Sequence, residues 1–171
     1  MLSFNKLKVG DELLFTGTIY TARDQAHKRL VDAIKKVGNG RDHSLPIPIK
    51  GQIFYYCGPT STPRGKVIGS CGPTTSSRMD KFTPTLLKAG LKGMIGKGRR
   101  SKEVCNAIKK YKGLYFLTYA GCGALISKYI KKKILVAYPD LGAEAIYKLE
   151  VEDFPLIVGI DSQGKDIYDK G

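Results

Sequence analysis

Six of the eight prolines in this chain fall between positions 46 and 84, at 46, 48, 59, 63, 73 and 84. Proline fixes φ and removes a backbone donor, so neither a helix interior nor a central strand can pass through any of them. This stretch of the chain must be short pieces joined by turns. SLPIPIKG reads as a loop. GQIFYYCGP reads as a strand ending at Gly58-Pro59, TSTPRG as a turn, and KVIGSCG as a strand that pairs back or continues the sheet. Pro73-Thr74-Thr75-Ser76 has the proline and hydroxyls of a helix start. That helix runs to about 78–82, resumes after Pro84 as far as Lys88, and stops at Gly90.

The rest of the chain alternates less strictly. In VGDELLFTGTIYTARD, Leu13, Phe15, Gly17 and Ile19 alternate with Leu14, Thr16, Thr18 and Tyr20, which predicts a strand buried at least partly on both faces. Ala26, Leu30, Ala33 and Ile34 recur at helical spacing from Gln25 to Lys36, and Gly38 to Gly40 stops that helix. GMIG is a short buried strand, Ser101 and Glu103 open the helix SKEVCNAIKKYK, and GLYFLTYAG is a core strand followed by the small-residue helix CGALISKYI. KILVAY, AIYKLEV and PLIVGID read as three further strands, with Phe154 held extended by Pro155, SQGKD as a closing turn and DIYDKG as a tail. Strands and helices mixed in this way predict an α/β fold, layered, with helices grouped on one side. The length of 171 residues predicts one domain spanning 1–171.

Charge is uneven. Residues 1–133 carry 26 basic and 7 acidic side chains, and residues 134–171 carry 3 and 8, so the formal net charge of +14 is the sum of +19 and −5. Such a field attracts nucleic acid, membrane surfaces or small carboxylates, and equally serves solubility. No run approaches 18 apolar residues, which argues against a membrane span, and the first residues lack the apolar stretch of a secretion signal, so the expected location is the cytoplasm. The four cysteines contain no CxxC pair, so they predict neither a disulfide framework nor a zinc ribbon.

Four segments have residue types suited to chemistry. In GSCGPTTSSRMD a helix start would present free N–H groups to an anion, with Thr74 and Arg78 on one face; a plain cap with a solvated arginine fits as well. In TARDQAHKRL, Arg23, Asp24 and His27 stand where a strand meets a helix, a position that lines clefts in α/β sheets. The plainer reading makes Asp24 a cap paired with Lys28 and leaves His27 on the surface. In GMIGKGRRS two glycines hold Lys97 rigidly, and Arg99, Arg100 and Lys102 form a solvated face or a partner surface. In YAGCGALI, Cys122 reads as a buried structural thiol rather than a nucleophile.

Taken in order, TARDQAHKRL, YYCGPT, GSCGPTTSSRMD, GKG and LGAEAIYKLEVEDFPLIVGID resemble the β subunit, or C-terminal domain, of class I iron–sulfur fumarases, over about Val9 to Tyr168. The L-tartrate dehydratase β subunit is similar too. The resemblance implies a fold like the swivelling β/β/α domains and reversible hydration of a C4 dicarboxylate, fumarate or tartrate. It implies a fumarase α partner whose three cysteines hold a [4Fe–4S] cluster, with none bound by this chain, so that the chain alone is inactive. It also leaves open a homodimer of β. Residue by residue, it implies Thr74 as the base that removes the C3 proton, and Arg23, Arg78 and Lys97 as contacts to substrate carboxylates. A dianionic substrate and charge developing beside a carboxylate both call for such pre-placed cations. A basic nucleic-acid-binding domain is the alternative of a different kind; no nucleic-acid motif accompanies the charge, and aromatics are not interleaved with the basic runs.

Overall fold

The computed structural model describes residues 4–38 and 44–169. In chain order its elements are β1 (Glu12–Thr21), α1 (Asp24–Gly38), β2 (Ile53–Tyr55), α2 (Thr83–Lys88), β3 (Gly93–Gly96), α3 (Lys102–Tyr111), β4 (Leu114–Leu117), α4 (Gly123–Ile126), β5 (Ile130–Ala137) and β6 (Ile146–Ile160). The fold is mixed α/β, as the sequence pattern predicts. The first four strands run parallel in the order β1-β2-β3-β4. The long β6 pairs antiparallel with β4 on one side and β1 on the other, which closes a small barrel, and β5 lies outside it against β6.

Period-2 alternation sorts the core into two layers. Ile53, Tyr55, Ile95, Leu114 and Phe116 point into the barrel with Leu149, Phe154 and Val158. Phe54, Met94 and Tyr115 point the other way, against Ala26 and Leu30 of α1, Leu86 and Leu87 of α2, and Val104 and Ile108 of α3. Three helices thus cover one side of the sheet. α3 begins as its sequence predicts: Ser101 caps it, accepting the Val104 N–H at 3.3 Å.

Three expectations change. KVIGSCG is not a strand. Its backbone groups bond elsewhere: Thr60 N–H donates to the Ser70 carbonyl, and Cys71 N–H to the Gly123 carbonyl. The strands expected at AIYKLEV and PLIVGID are one continuous β6. Asp153 takes a positive φ of 52° at a bulge opposite Thr16, whose hydroxyl accepts the Asp153 N–H at 3.1 Å, so pairing resumes beyond it. β1 is buried on both faces only in its second half, since Leu14 is exposed. The expected helix stop at 38–40 falls partly outside the described residues.

Candidate functional site

Because β1 to β4 are parallel, their carboxyl ends share one edge of the barrel, the place where α/β sheets gather ligand-binding loops. Arg23 leaves β1 there. Its carbonyl accepts the His27 N–H and also His27 Nδ1–H, each at 2.8 Å, which fixes the strand-to-helix junction. The Arg23 side chain lies over Gly58. A methyl group at residue 58 would approach Arg23 Nη1 to 2.8 Å and Cδ to 3.0 Å, so the glycine makes room for the guanidinium.

Thr74 is tied to the end of β2, its N–H donating to the Tyr56 carbonyl at 2.6 Å. Thr75 pairs in parallel with Lys97, the residue that follows β3. Ser76 completes the link in both directions: its N–H donates to the Lys97 carbonyl at 3.0 Å, and its Oγ accepts the Lys97 N–H at 3.1 Å. The Tyr115 hydroxyl lies 2.8 Å from both Ser76 Oγ and the Gly98 carbonyl. The arrangement that satisfies every group has Ser76 donating to Tyr115 and Tyr115 donating to Gly98. Burial pushes the Tyr115 phenol up, so it keeps the proton this needs. Thr74 and Lys97 are therefore neighbours through two backbone links. Both side chains are half-buried, and neither forms a side-chain hydrogen bond or ion pair with the described residues.

Arg78 stands on a four-residue 3-10 turn, Ser76–Met79, anchored by the buried Met79. The α-helix predicted at Pro73 does not form there: Thr74 lies in no helix or strand, Thr75 makes no side-chain cap, and the turn is too short to present an anion-binding helix end. Arg78 instead meets the first site segment. Its Nε donates to Asp24 Oδ1 at 3.1 Å and its Nη2 lies 3.0 Å from Asp24 Oδ2. Asp24 is thus paired with Arg78 rather than Lys28. Arg23 Nη2 lies 3.5 Å from Glu144, whose other oxygen accepts the Gln25 N–H at 3.2 Å.

The structure thus links Arg23 to Arg78 through Asp24, and Thr74 to Lys97 through Thr75 and Ser76. Tyr56 and Gly58 at the end of β2 lie between the two pairs. Each arginine has a carboxylate beside it, and Lys97 has none among the described residues.

Other candidates change character. His27 is fully buried among Phe54, Tyr56 and Phe82, and burial pushes it down to about 4, so it is a neutral structural residue. Arg100 is buried rather than solvated: its Nε donates to Asp80 at 2.7 Å, its Nη2 donates to Thr83 at 2.8 Å, and its guanidinium lies over the Tyr56 and Tyr115 rings. Arg99 is exposed and bonds the Tyr168 carbonyl and Asp169. Cys122 is exposed, on the loop after β4 that packs against Gly72. Gly58, Ser76, Tyr115 and Glu144 were not legible as site residues, and Asp24 was legible only as a junction residue beside Arg23. Their contacts join positions far apart in the chain.

The cysteines do not fit a metal cluster. Cys57 and Cys71 are buried side by side, with burial and the Cys71 contact pushing the Cys57 thiol up; Cys105 is half-buried and lies 3.9 Å from an Asp166 oxygen. No three His, Cys, Asp or Glu side chains converge among the described residues.

Comparison with known proteins adds the family. Residues 2–171 match the family described as Fumarase C-terminus. The chain belongs to this family. It is 39% identical over 170 residues to "Fumarate hydratase class I, aerobic" of Escherichia coli K12, covering 98% of this chain and 30% of that protein. It is 39% identical over 166 residues to "Fumarate hydratase 2" of Leishmania major, covering 95% and 28%. It is 37% identical over 171 residues to "Putative L(+)-tartrate dehydratase subunit beta" of Methanocaldococcus jannaschii, covering 96% and 85%. This fumarase C-terminus chain therefore spans under a third of the two fumarate hydratases and most of the tartrate dehydratase subunit. Among its described residues no helix is long and apolar enough to cross a membrane.

Proposed function

We propose that this chain is the β subunit of a two-subunit, cytoplasmic hydro-lyase that reversibly hydrates fumarate to L-malate. The observation that carries the reading is the grouping of Arg23, Arg78 and Lys97 with Thr74 at the carboxyl edge of the parallel strands, in a chain of this family. The chain supplies the carboxylate-binding and proton-abstracting half of the site. Arg23 and Arg78 bind substrate carboxylate through their N–H donors. Lys97, which has no carboxylate beside it among the described residues, brings positive charge to the proton-transfer centre, where negative charge grows as the C3 proton leaves. Thr74 Oγ1 accepts that proton; the adjacent Lys97 cation favours the deprotonated hydroxyl that this requires. The fumarase α partner carries the [4Fe–4S] cluster, which supplies Lewis-acid chemistry to the hydroxyl. None of the steps assigned to this chain passes through it.

A second reading, a tartrate dehydratase β subunit, is favoured by the 85% coverage of the archaeal relative. The test is steady-state kinetics of the chain assembled with its α partner, on fumarate and on tartrate. Thr74→Val keeps the shape and removes the hydroxyl. It is expected to lower kcat on the order of 10²-fold or more with little change in KM. Unchanged kcat would remove Thr74 as the base, and a higher kcat/KM on tartrate would select the second reading. Turnover by this chain alone would refute the two-subunit assignment.

A further inference from the structure

Among the described residues, Asp24 is the one carboxylate placed beside both arginines. It is the first residue of α1, a 15-residue helix, so its backbone is fixed and the helix N-terminus favours its charge. One of its oxygens accepts from Arg78 Nε at 3.1 Å, and the other lies 3.0 Å from Arg78 Nη2 and 3.9 Å from Arg23 Nε. That contact faces the Nε/Nη2 side of the Arg78 fork, where Nε makes the one hydrogen bond and Asp24 Oδ2 accepts none. The Nη1 donors, on the side facing away from Asp24, stay open. Arg78 needs such a partner. Half of its side chain is exposed, and it projects from a turn of only four residues, whereas Asp24 is three-quarters buried. A long side chain in that setting has many rotamers and would lose freedom on binding a ligand; a carboxylate that holds one of them removes that cost beforehand.

We infer that Asp24 is a positioning residue, holding Arg78 directly and Arg23 by proximity so that their free N–H groups meet a substrate carboxylate. The inference rests on the reading above that the two arginines bind the substrate. It assigns Asp24 no proton transfer, so its loss acts on binding and not on the chemical step.

The experiment is steady-state kinetics of the assembled enzyme with Asp24→Asn, Asp24→Glu, Arg78→Lys and the Asp24→Asn/Arg78→Lys pair. Asparagine suits the first turn of a helix and keeps the shape. Asp24→Asn is expected to raise KM for the dicarboxylate roughly tenfold, the scale of a lost charged hydrogen bond that is partly open to solvent, with kcat within about twofold. Asp24→Glu, which keeps the charge, should recover part of that loss. In the Arg78→Lys background the fork is already gone, so Asp24→Asn should change KM by about twofold or less. Thermal unfolding of each variant separates lost binding from lost folding; if Asp24→Asn does not fold, Asp24→Glu with a KM above wild type and an unchanged kcat supports the assignment. An unchanged KM in Asp24→Asn beside a raised one in Arg78→Lys overturns it while leaving the site reading intact. So does an equal effect of Asp24→Asn in both backgrounds, or a loss confined to kcat. An unchanged KM in Arg78→Lys itself overturns the site reading, and the inference with it.

Discussion

Gly96→Ala tests the link between Thr74 and Lys97. The glycine ends β3 beside Ser76, and a methyl group there would overlap Ser76 Oγ outright, lie 3.0 Å from a Tyr56 ring carbon and 3.3 Å from Ser76 Cβ. Ser76 is fully buried and its hydroxyl is fixed between the Lys97 N–H and the Tyr115 hydroxyl, so it cannot simply swing aside. If it rotates, two buried hydrogen bonds break, at about 1–3 kcal/mol for each group left unsatisfied. If it stays, the strand must shift, at about 1–3 kcal/mol for overpacking. The cheaper route sets the loss, about 1–3 kcal/mol, which for a domain of this size lowers Tm by roughly 2–12 °C. The assay is thermal unfolding followed by circular dichroism, on wild type, Gly96→Ala, Ser76→Ala and the double variant. Ser76→Ala alone costs about 1–2 kcal/mol, since it orphans the Lys97 N–H. The double variant removes the overlapping oxygen, so it should be more stable than the two single losses summed, by about 1–3 kcal/mol. A Gly96→Ala protein within about 0.5 kcal/mol of wild type would refute the reasoning, and so would strictly additive losses.

Two further expectations concern stability. Unfolded, His27 takes up a proton near its usual 6.5, but folded it resists until about 4, so between those values the unfolded chain binds more protons and stability falls on acidification, by up to about 3 kcal/mol for this group; denaturant titrations from pH 7 to 4 should show that fall reduced in His27→Phe. Asp80→Asn leaves the buried Arg100 guanidinium without its carboxylate and should cost about 3–5 kcal/mol in the same titrations at pH 7, whereas the exposed Arg99→Ala should stay within about 0.5 kcal/mol.

Periodicity located much of the architecture. α1 was legible because Ala26 and Leu30 recur at helical spacing, and α3 because Ser101 sits where a cap belongs. GMIG and GLYFL read as buried strands because they are short apolar runs between turns. Barrel closure was not legible, since it pairs Glu12 with Ile157 and Tyr20 with Lys148, and no local pattern records such a register. The same limit applies to the site. Arg78 reads as solvated beside its own neighbours, yet its partner is Asp24, 54 positions away. Arg99 and Arg100 read alike as a solvated face or a partner surface, yet chain direction after β3 sends Arg99 outward and Arg100 inward, under Tyr56 and Tyr115. His27 looked like a surface residue because Lys28 and Arg29 follow it. Its burial is decided by aromatic residues of β2 and of the segment before α2.

The strand left outside the barrel, β5, has a bearing on solubility. It ends the sheet, and one side of its backbone ladder has no strand partner among the described residues. Ile134 and Leu135 on it are exposed, which makes it the kind of edge on which a second chain can add a strand and begin a fibre. The run Lys131-Lys132-Lys133 stands directly before them. Lys131 and Lys132 reach across to Glu152 and Glu150 of β6, and Lys133 bonds Thr62, so the cations are held along this margin. A second chain approaching in register would bring its own three lysines alongside, and the two runs would repel. Part of the basic excess in residues 1–133 thus lies along a sheet edge, where like charge opposes the addition of a second strand.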